Sequence, residues 1–263
     1  MNYETLDIKF AGAVATVTLN RPDVRNAFNE FTIAELSLAF NELGRNADVR
    51  AIVLAANGPA FCAGANLNWM RRMADYSRAE NLADAGKLAA MLRTIADCPK
   101  PTIARVQGDV YAGGMGLVAA CDIAVSVDSA WYCLSEVKIG LVPATISPYV
   151  LRAMGTRAAQ RWFLTAERFA AAEAHRIGFV HEVVAADALD AKVAEIVKAL
   201  TGASPAAVRA CKTLIADVAG REIDDALVAK TVEGIADIRA SDEGREGIQA
   251  FLGKRKPNWL PKD

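Results

Sequence analysis

Between Gln107 and Ala124 the chain reads QGDVYAGGMGLVAACDIA. A strand-like stretch, Thr102 to Val106, leads into this segment, and another, Ile123 to Val127, follows it. Apolar strands on either side of a short apolar helix predict an α/β core, because none of the three can be left facing water. Gly113, Gly114 and Gly116 lie where the loop turns into the helix. The first N–H groups of a helix have no intrahelical partner. The helix dipole adds partial positive charge beside them, and glycine lets a ligand approach the main chain. The segment is therefore suited to receive an anionic oxygen, or one on which charge develops.

The remaining pattern extends the same class. Residues 4–9 and 13–18 read as two short strands joined by Ala11-Gly12-Ala13, and Asn20-Arg21-Pro22-Asp23 reads as a turn. Ile33, Leu36, Phe40 and Leu43 recur at helical spacing. Arg50 to Ala55 is a buried-type strand ended by Gly58-Pro59, and the spacing predicts a helix over 79–96. Beyond Gly140, helices are expected over 147–154, 156–164 and 170–177, with a short strand near 180–184. Leu189, Val193, Ile196, Val197 and Leu200 mark a further helix, and two or three more run from Pro205 to Leu252. The expected division is an α/β core over 1–185 and a helical region over 186–263.

Composition narrows the function. Hydrophobic residues make up 53%, enough for a large core. With 30 basic and 31 acidic residues, the net charge of −1 argues against a nucleic-acid or membrane partner. Five scattered cysteines, an odd number without a C-x-x-C pair, predict reduced thiols and a cytoplasmic protein. His175 and His181 lie far from any cysteine cluster, so no metal site is expected and both are read as structural. The N-terminus lacks a basic-then-apolar leader pattern. No uncharged apolar run reaches the roughly 18 residues that would span a bilayer.

Four segments carry the chemistry in combination: Phe61 to Leu67 (FCAGANL), the glycine-rich segment, Ser135 to Pro143 (SEVKIGLVP), and Glu246 to Pro257 (EGIQAFLGKRKP). Each is common alone; their order and spacing are not. Together with Leu19-Asn20-Arg21-Pro22 they resemble the crotonase family of enoyl-CoA hydratases and isomerases over nearly the whole chain. The resemblance implies a spiral of ββα units with a C-terminal helical region, assembled as a homotrimer or a dimer of trimers. It implies an acyl-CoA substrate, with coenzyme A carried in the thioester and no separate cofactor. The thioester oxygen would meet the N–H groups of Ala65 and Gly113. Ala63, Gly64, Ala65, Asn66 and Leu67 would border the adenine, Gly114 would adjoin the ligand, and Arg25 would approach the phosphates. Phe251 and Lys254, the latter in the cationic run Lys254-Arg255-Lys256, would come from a neighbouring subunit.

The resemblance also assigns the acid–base role to Glu136. Hydratases of that family usually offer a second glutamate on the helix after the glycine loop, and this chain has Gly116 there. Asn66 to Met70, Asn81 to Ala85, Leu134 to Val137 and Pro143 to Tyr149 are similar to the methylglutaconyl-CoA hydratase-like branch, which acts in leucine or acyclic-terpene breakdown. The implied activity is hydration of a branched or carboxylated 2-enoyl-CoA. Asp84 and Asn81 are then candidates for holding the water with Glu136, and Arg71, Arg72 and Lys138 for a distal carboxylate. Two alternatives remain: a Δ3,Δ2-enoyl-CoA isomerase, which needs one carboxylate, and an RNA-binding homologue, which the net charge disfavours.

Overall fold

The computed structural model describes residues 3–260. Its first strands, β1 (Leu6–Ala11) and β2 (Val14–Leu19), form an antiparallel hairpin that sets Leu6 opposite Leu19. Helix α1 (Glu30–Arg45) is capped by Asn29, whose Oδ1 accepts the Thr32 N–H at 3.1 Å; such a cap is typically worth about 1 kcal/mol. It buries Ile33, Leu36, Phe40 and Leu43, the stripe expected from their spacing. Strand β3 (Ala51–Ala56) is buried along its length and runs parallel to β2, as suits an apolar strand covered on both faces.

The elements that follow are β4 (Ala60–Cys62), α2 (Leu67–Met73), α3 (Arg78–Ala96), β5 (Thr102–Val106), β6 (Asp109–Tyr111), α4 (Gly113–Ala120), β7 (Ile123–Val127) and β8 (Trp131–Cys133). A 3-10 turn, Glu136–Ile139, leads to α5 (Ser147–Thr165), β9 (Phe169–Ala170), α6 (Ala171–Arg176) and β10 (Glu182–Val184). Then come α7 (Leu189–Gly202), α8 (Pro205–Val218), α9 (Asp225–Ala240) and α10 (Asp242–Leu252).

Two sheets share these strands. The larger runs β1-β2-β3-β5-β7-β10 and the smaller β4-β6-β8-β9. All neighbouring pairs are parallel except β1 with β2 and β8 with β9. The chain alternates between the sheets: β3 then β4, β5 then β6, β7 then β8, each pair followed by helix. This is the expected spiral of ββα units. Within α5 the backbone leaves the helical region at Gly155 (φ 75°, ψ 158°), so the two helices predicted over 147–154 and 156–164 are joined across a kink.

The chain divides into two compact units, one ending at Ile196 and the other beginning at Val197. The expected boundary at residue 185 precedes this division. In the second unit α10 packs on α8 and α9. Glu243 fastens the start of α8, accepting from the Ser204 hydroxyl at 2.5 Å and the Ala206 N–H at 3.0 Å. Among the described residues no helix is long and apolar enough to cross a membrane.

Candidate active site

The small sheet decides where the loops singled out in the sequence meet. β4, β6 and β8 are parallel neighbours, with Cys62 beside Val110 and Tyr111 beside Cys133. Their C-terminal ends therefore share one edge. Ala65 lies just beyond β4, Gly113 just beyond β6 and Glu136 just beyond β8. Residues separated by scores of positions in the chain become neighbours by register alone.

The first loop is held by Phe28. Its N–H donates to the Gly64 carbonyl at 2.9 Å, and its carbonyl accepts the Asn66 N–H at 2.9 Å. In such a parallel bridge the intervening residue, Ala65, turns its own N–H to the opposite side. Gly64 has φ +90°, and a Cβ there would lie 3.0 Å from Ala112 Cβ, so the two loops abut at a position only glycine fits. Asn26, which sequence reasoning missed, braces the loop from behind. Its Nδ2 donates to the Asn57 and Ala60 carbonyls at 2.7 and 2.9 Å, and its Oδ1 accepts the Arg21 N–H at 2.9 Å. The signal for it was a lone amide beside the apolar pair Ala27-Phe28.

The second loop turns at Ala112, not at a glycine. Ala112 has φ 47° and ψ −122°, a conformation that costs a residue with a Cβ about 1–3 kcal/mol. Its N–H donates to the Cys133 carbonyl at 2.8 Å, and its carbonyl accepts the Met115 N–H at 2.9 Å. None of Gly113, Gly114 and Gly116 has a positive φ. The side on which a Cβ would stand is filled by protein at all three. A Cβ on Gly113 would lie 2.4 Å from Phe28 Cζ; on Gly114, 2.8 Å from the Cys62 carbonyl oxygen; on Gly116, 2.3 Å from Ile146 Cγ2. Among the described residues neither the Ala65 nor the Gly113 N–H has an acceptor.

Glu136 opens the 3-10 turn that follows β8. Its main chain is fixed by the Leu141 N–H, which donates to the Glu136 carbonyl at 3.1 Å. Its side-chain Oε2 is buried and has no hydrogen-bond partner among the described residues. Burial pushes its carboxyl above the usual carboxylate range. A half-buried carboxyl with one unsatisfied oxygen, on the same sheet edge as two N–H groups without acceptors, is an arrangement able to move a proton next to an oxygen that gains charge. The place of a second carboxylate is closed: Ile146 (1% exposed) and Leu92 (fully buried) fill the space over Gly116.

The sequence profile of enoyl-CoA hydratase/isomerase matches residues 9–262. The chain belongs to the enoyl-CoA hydratase/isomerase family. An enoyl-CoA hydratase from Shewanella pealeana has the same fold at 44% identity and TM-score 0.95, over 97% of this chain and 96% of that one. A protein from Legionella pneumophila, 43% identical, superposes with TM-score 0.92 over 97% and 99% of the two chains. The enoyl-CoA hydratase ACTT6 of Alternaria alternata is 33% identical over 98% of this chain and 84% of its own.

For this family member the other expected residues sort as follows. Ala63 donates its N–H to the Arg25 carbonyl at 3.0 Å, and Arg25 itself is exposed with φ 53°. Asn66 caps α2, accepting the Asn68 N–H at 2.9 Å. Leu67 is 67% exposed at the mouth of the loop, and Ile139, Leu141 and Val142 are exposed beyond Glu136. Gly114 serves packing against β4. Asn81 Nδ2 donates to the Tyr76 and Ser77 carbonyls at 3.0 and 3.1 Å, at the start of its own helix. Asp84 accepts the Trp69 indole N–H at 3.3 Å. Arg71 donates to Asn68 Oδ1 at 2.5 Å, Arg72 pairs with Glu30, and Lys138 is exposed.

In the second unit Phe251 is 83% exposed at the end of α10, and Lys254 follows with φ 47°. Arg255 of the cationic run is bound to Glu246 at 2.6 Å, and that contact lowers the Glu246 carboxyl to about 2. His181 Nδ1 accepts the Ala124 N–H at 3.1 Å, a structural use, and His175 is exposed on α6. Among the described residues no cluster of three or more His, Cys, Asp or Glu side chains is placed to hold a metal.

Proposed function

We propose that this protein is an acyl-CoA hydratase that adds water across the double bond of a 2-enoyl-CoA. The observation that carries the reading is the meeting of Ala65, Gly113 and Glu136 at one edge of the small sheet. The two N–H groups hold the thioester oxygen. Glu136 takes a proton from water as the water oxygen bonds to the β-carbon. The electron pair of the double bond moves toward the thioester oxygen as an enolate, which the two donors stabilise; removing one such donor typically lowers rate by about 10²–10³. Glu136 then returns the proton to the α-carbon, so that H and OH are both delivered with one carboxyl. Its raised pKa suits a group that must act as base and then as acid.

The substrate class is a branched or carboxylated enoyl-CoA of the kind formed in leucine breakdown. The CoA portion lies along Ala63 to Leu67 with Arg25 toward its phosphates, and Phe251 and Lys254 reach a neighbouring subunit's site in a trimer or dimer of trimers. The exposed apolar residues of α10, Ile248, Phe251 and Leu252, support such an assembly. Ile146 over Gly116 favours one second reading, a Δ3,Δ2-enoyl-CoA isomerase, in which Glu136 carries a proton between carbons. Crotonyl-CoA and 3-methylglutaconyl-CoA, followed by their conjugated thioester absorbance, separate the two. Loss of absorbance with either supports hydration. Neither being consumed, while a 3-enoyl-CoA gains conjugation, would overturn it in favour of the isomerase.

A further inference from the structure

Asp84 Oδ1 accepts the indole N–H of Trp69 at 3.3 Å. Trp69 is 3% exposed and sits on α2, a helix of 7 residues. So short a helix has little stability of its own, and its place depends on tethers. A buried indole N–H also needs an acceptor, and the half-buried carboxylate of Asp84 on α3 supplies a charge-assisted one. The Trp69 ring meets Phe28, with centroids 6.0 Å apart and planes at 53°. Phe28 in turn touches both donor loops. Its backbone bonds Gly64 and Asn66 on either side of Ala65, and its ring fills the space over Gly113.

We propose that Asp84 is a positioning residue for the thioester-oxygen site. Its carboxylate fixes Trp69, Trp69 seats Phe28, and Phe28 sets the spacing of the Ala65 and Gly113 N–H groups. The proposal rests on the assignment of those two groups as the oxygen's donors. It replaces the direct water-holding role expected for Asp84 from sequence, and it makes a different demand on chemistry. A positioning acceptor needs an oxygen at Oδ1 but no charge and no exchangeable proton, so asparagine serves in its place.

The test uses Asp84→Asn, Asp84→Ala and Trp69→Phe in the full chain, with folding checked by circular dichroism and thermal unfolding. Each is titrated with butyryl-CoA carrying ¹³C at the thioester carbonyl, and the bound C=O stretch is read by isotope-edited infrared spectroscopy. Wild type should shift the stretch to lower frequency. Asp84→Asn should retain the shift, while Asp84→Ala and Trp69→Phe should each lose most of it. With crotonyl-CoA, the last two should lower kcat about 5–10-fold with little change in KM, and the double variant should be no worse than either alone, as for residues acting as a unit. An Asp84→Asn variant as impaired as Asp84→Ala would overturn the proposal in favour of a direct role for the carboxylate. A full carbonyl shift in every variant would overturn it as well. Absence of the shift in wild type would instead remove the donor assignment on which it stands.

Discussion

The glycine at 116 and the isoleucine at 146 form a lock whose strength can be measured. An alanine Cβ at 116 would lie 2.3 Å from Ile146 Cγ2 and 2.8 Å from Ile146 Cβ. Overpacking of this kind typically costs about 1–3 kcal/mol, against a helix-propensity gain of about 1 kcal/mol for replacing glycine. Ile146→Ala alone empties a buried site and should cost about 2–5 kcal/mol. The double variant Gly116→Ala/Ile146→Ala removes the shorter contact and places a methyl group in the space vacated. It should therefore be more stable than the sum of the singles by about 1–3 kcal/mol, a coupling expected only of residues in contact. Urea unfolding at one fixed protein concentration reads this, since assembly would otherwise shift the midpoint, and unchanged m-values make the midpoints comparable. Additivity within about 0.5 kcal/mol would refute the packing argument. The same geometry forbids a simple gain of a second carboxylate: Gly116→Glu should destabilise the fold and not raise turnover.

Other perturbations follow from the site's supports. Asn26→Ala removes the donor to the Asn57 carbonyl and the acceptor of the Arg21 N–H, while the Ala60 carbonyl keeps the Gln107 amide at 3.0 Å; at about 1–3 kcal/mol for an unsatisfied buried group, thermal unfolding should show a loss of about 1–3 kcal/mol. Gly113→Ala drives a Cβ against Phe28, and turnover should fall further than the folded fraction. Glu136 has a folded pKa raised by burial, so its neutral form is favoured in the folded state. The stability this lends is complete below the unfolded value of about 4.3 and disappears as pH rises through the folded pKa. Glu136→Gln should accordingly be more stable than wild type at neutral pH in chemical unfolding, with the advantage gone near pH 4.

Much of the larger sheet was legible in the sequence. β2, β3, β5 and β7 are runs of five or six mostly apolar residues, long enough to show a strand. β4, β6 and β8 have three residues each and β9 two; no period can appear over so short a span, and yet these strands build the site. Ala112 is illegible in the sequence for a related reason: alanine carries no turn signal, and the strained backbone precedes the glycines rather than falling on one. Gly116 stood out as a departure from the family pattern, but only the packing of Ile146 and Leu92 explains why no carboxylate fits there. Asp84 is a candidate in the sequence while its partner Trp69 is not, because helical spacing does not tell which indole a carboxylate will meet.

In the proposed mechanism Glu136 moves the proton while the Ala65 and Gly113 N–H groups hold the thioester oxygen. Glu136→Gln keeps the shape of the side chain and removes its acid–base function. Turnover of crotonyl-CoA or 3-methylglutaconyl-CoA, whichever the wild type hydrates faster, should fall by about 10²–10⁴ in this variant, with butyryl-CoA affinity and the bound carbonyl stretch unchanged. A glutamine variant that retains turnover within tenfold of wild type would exclude Glu136 as the proton carrier.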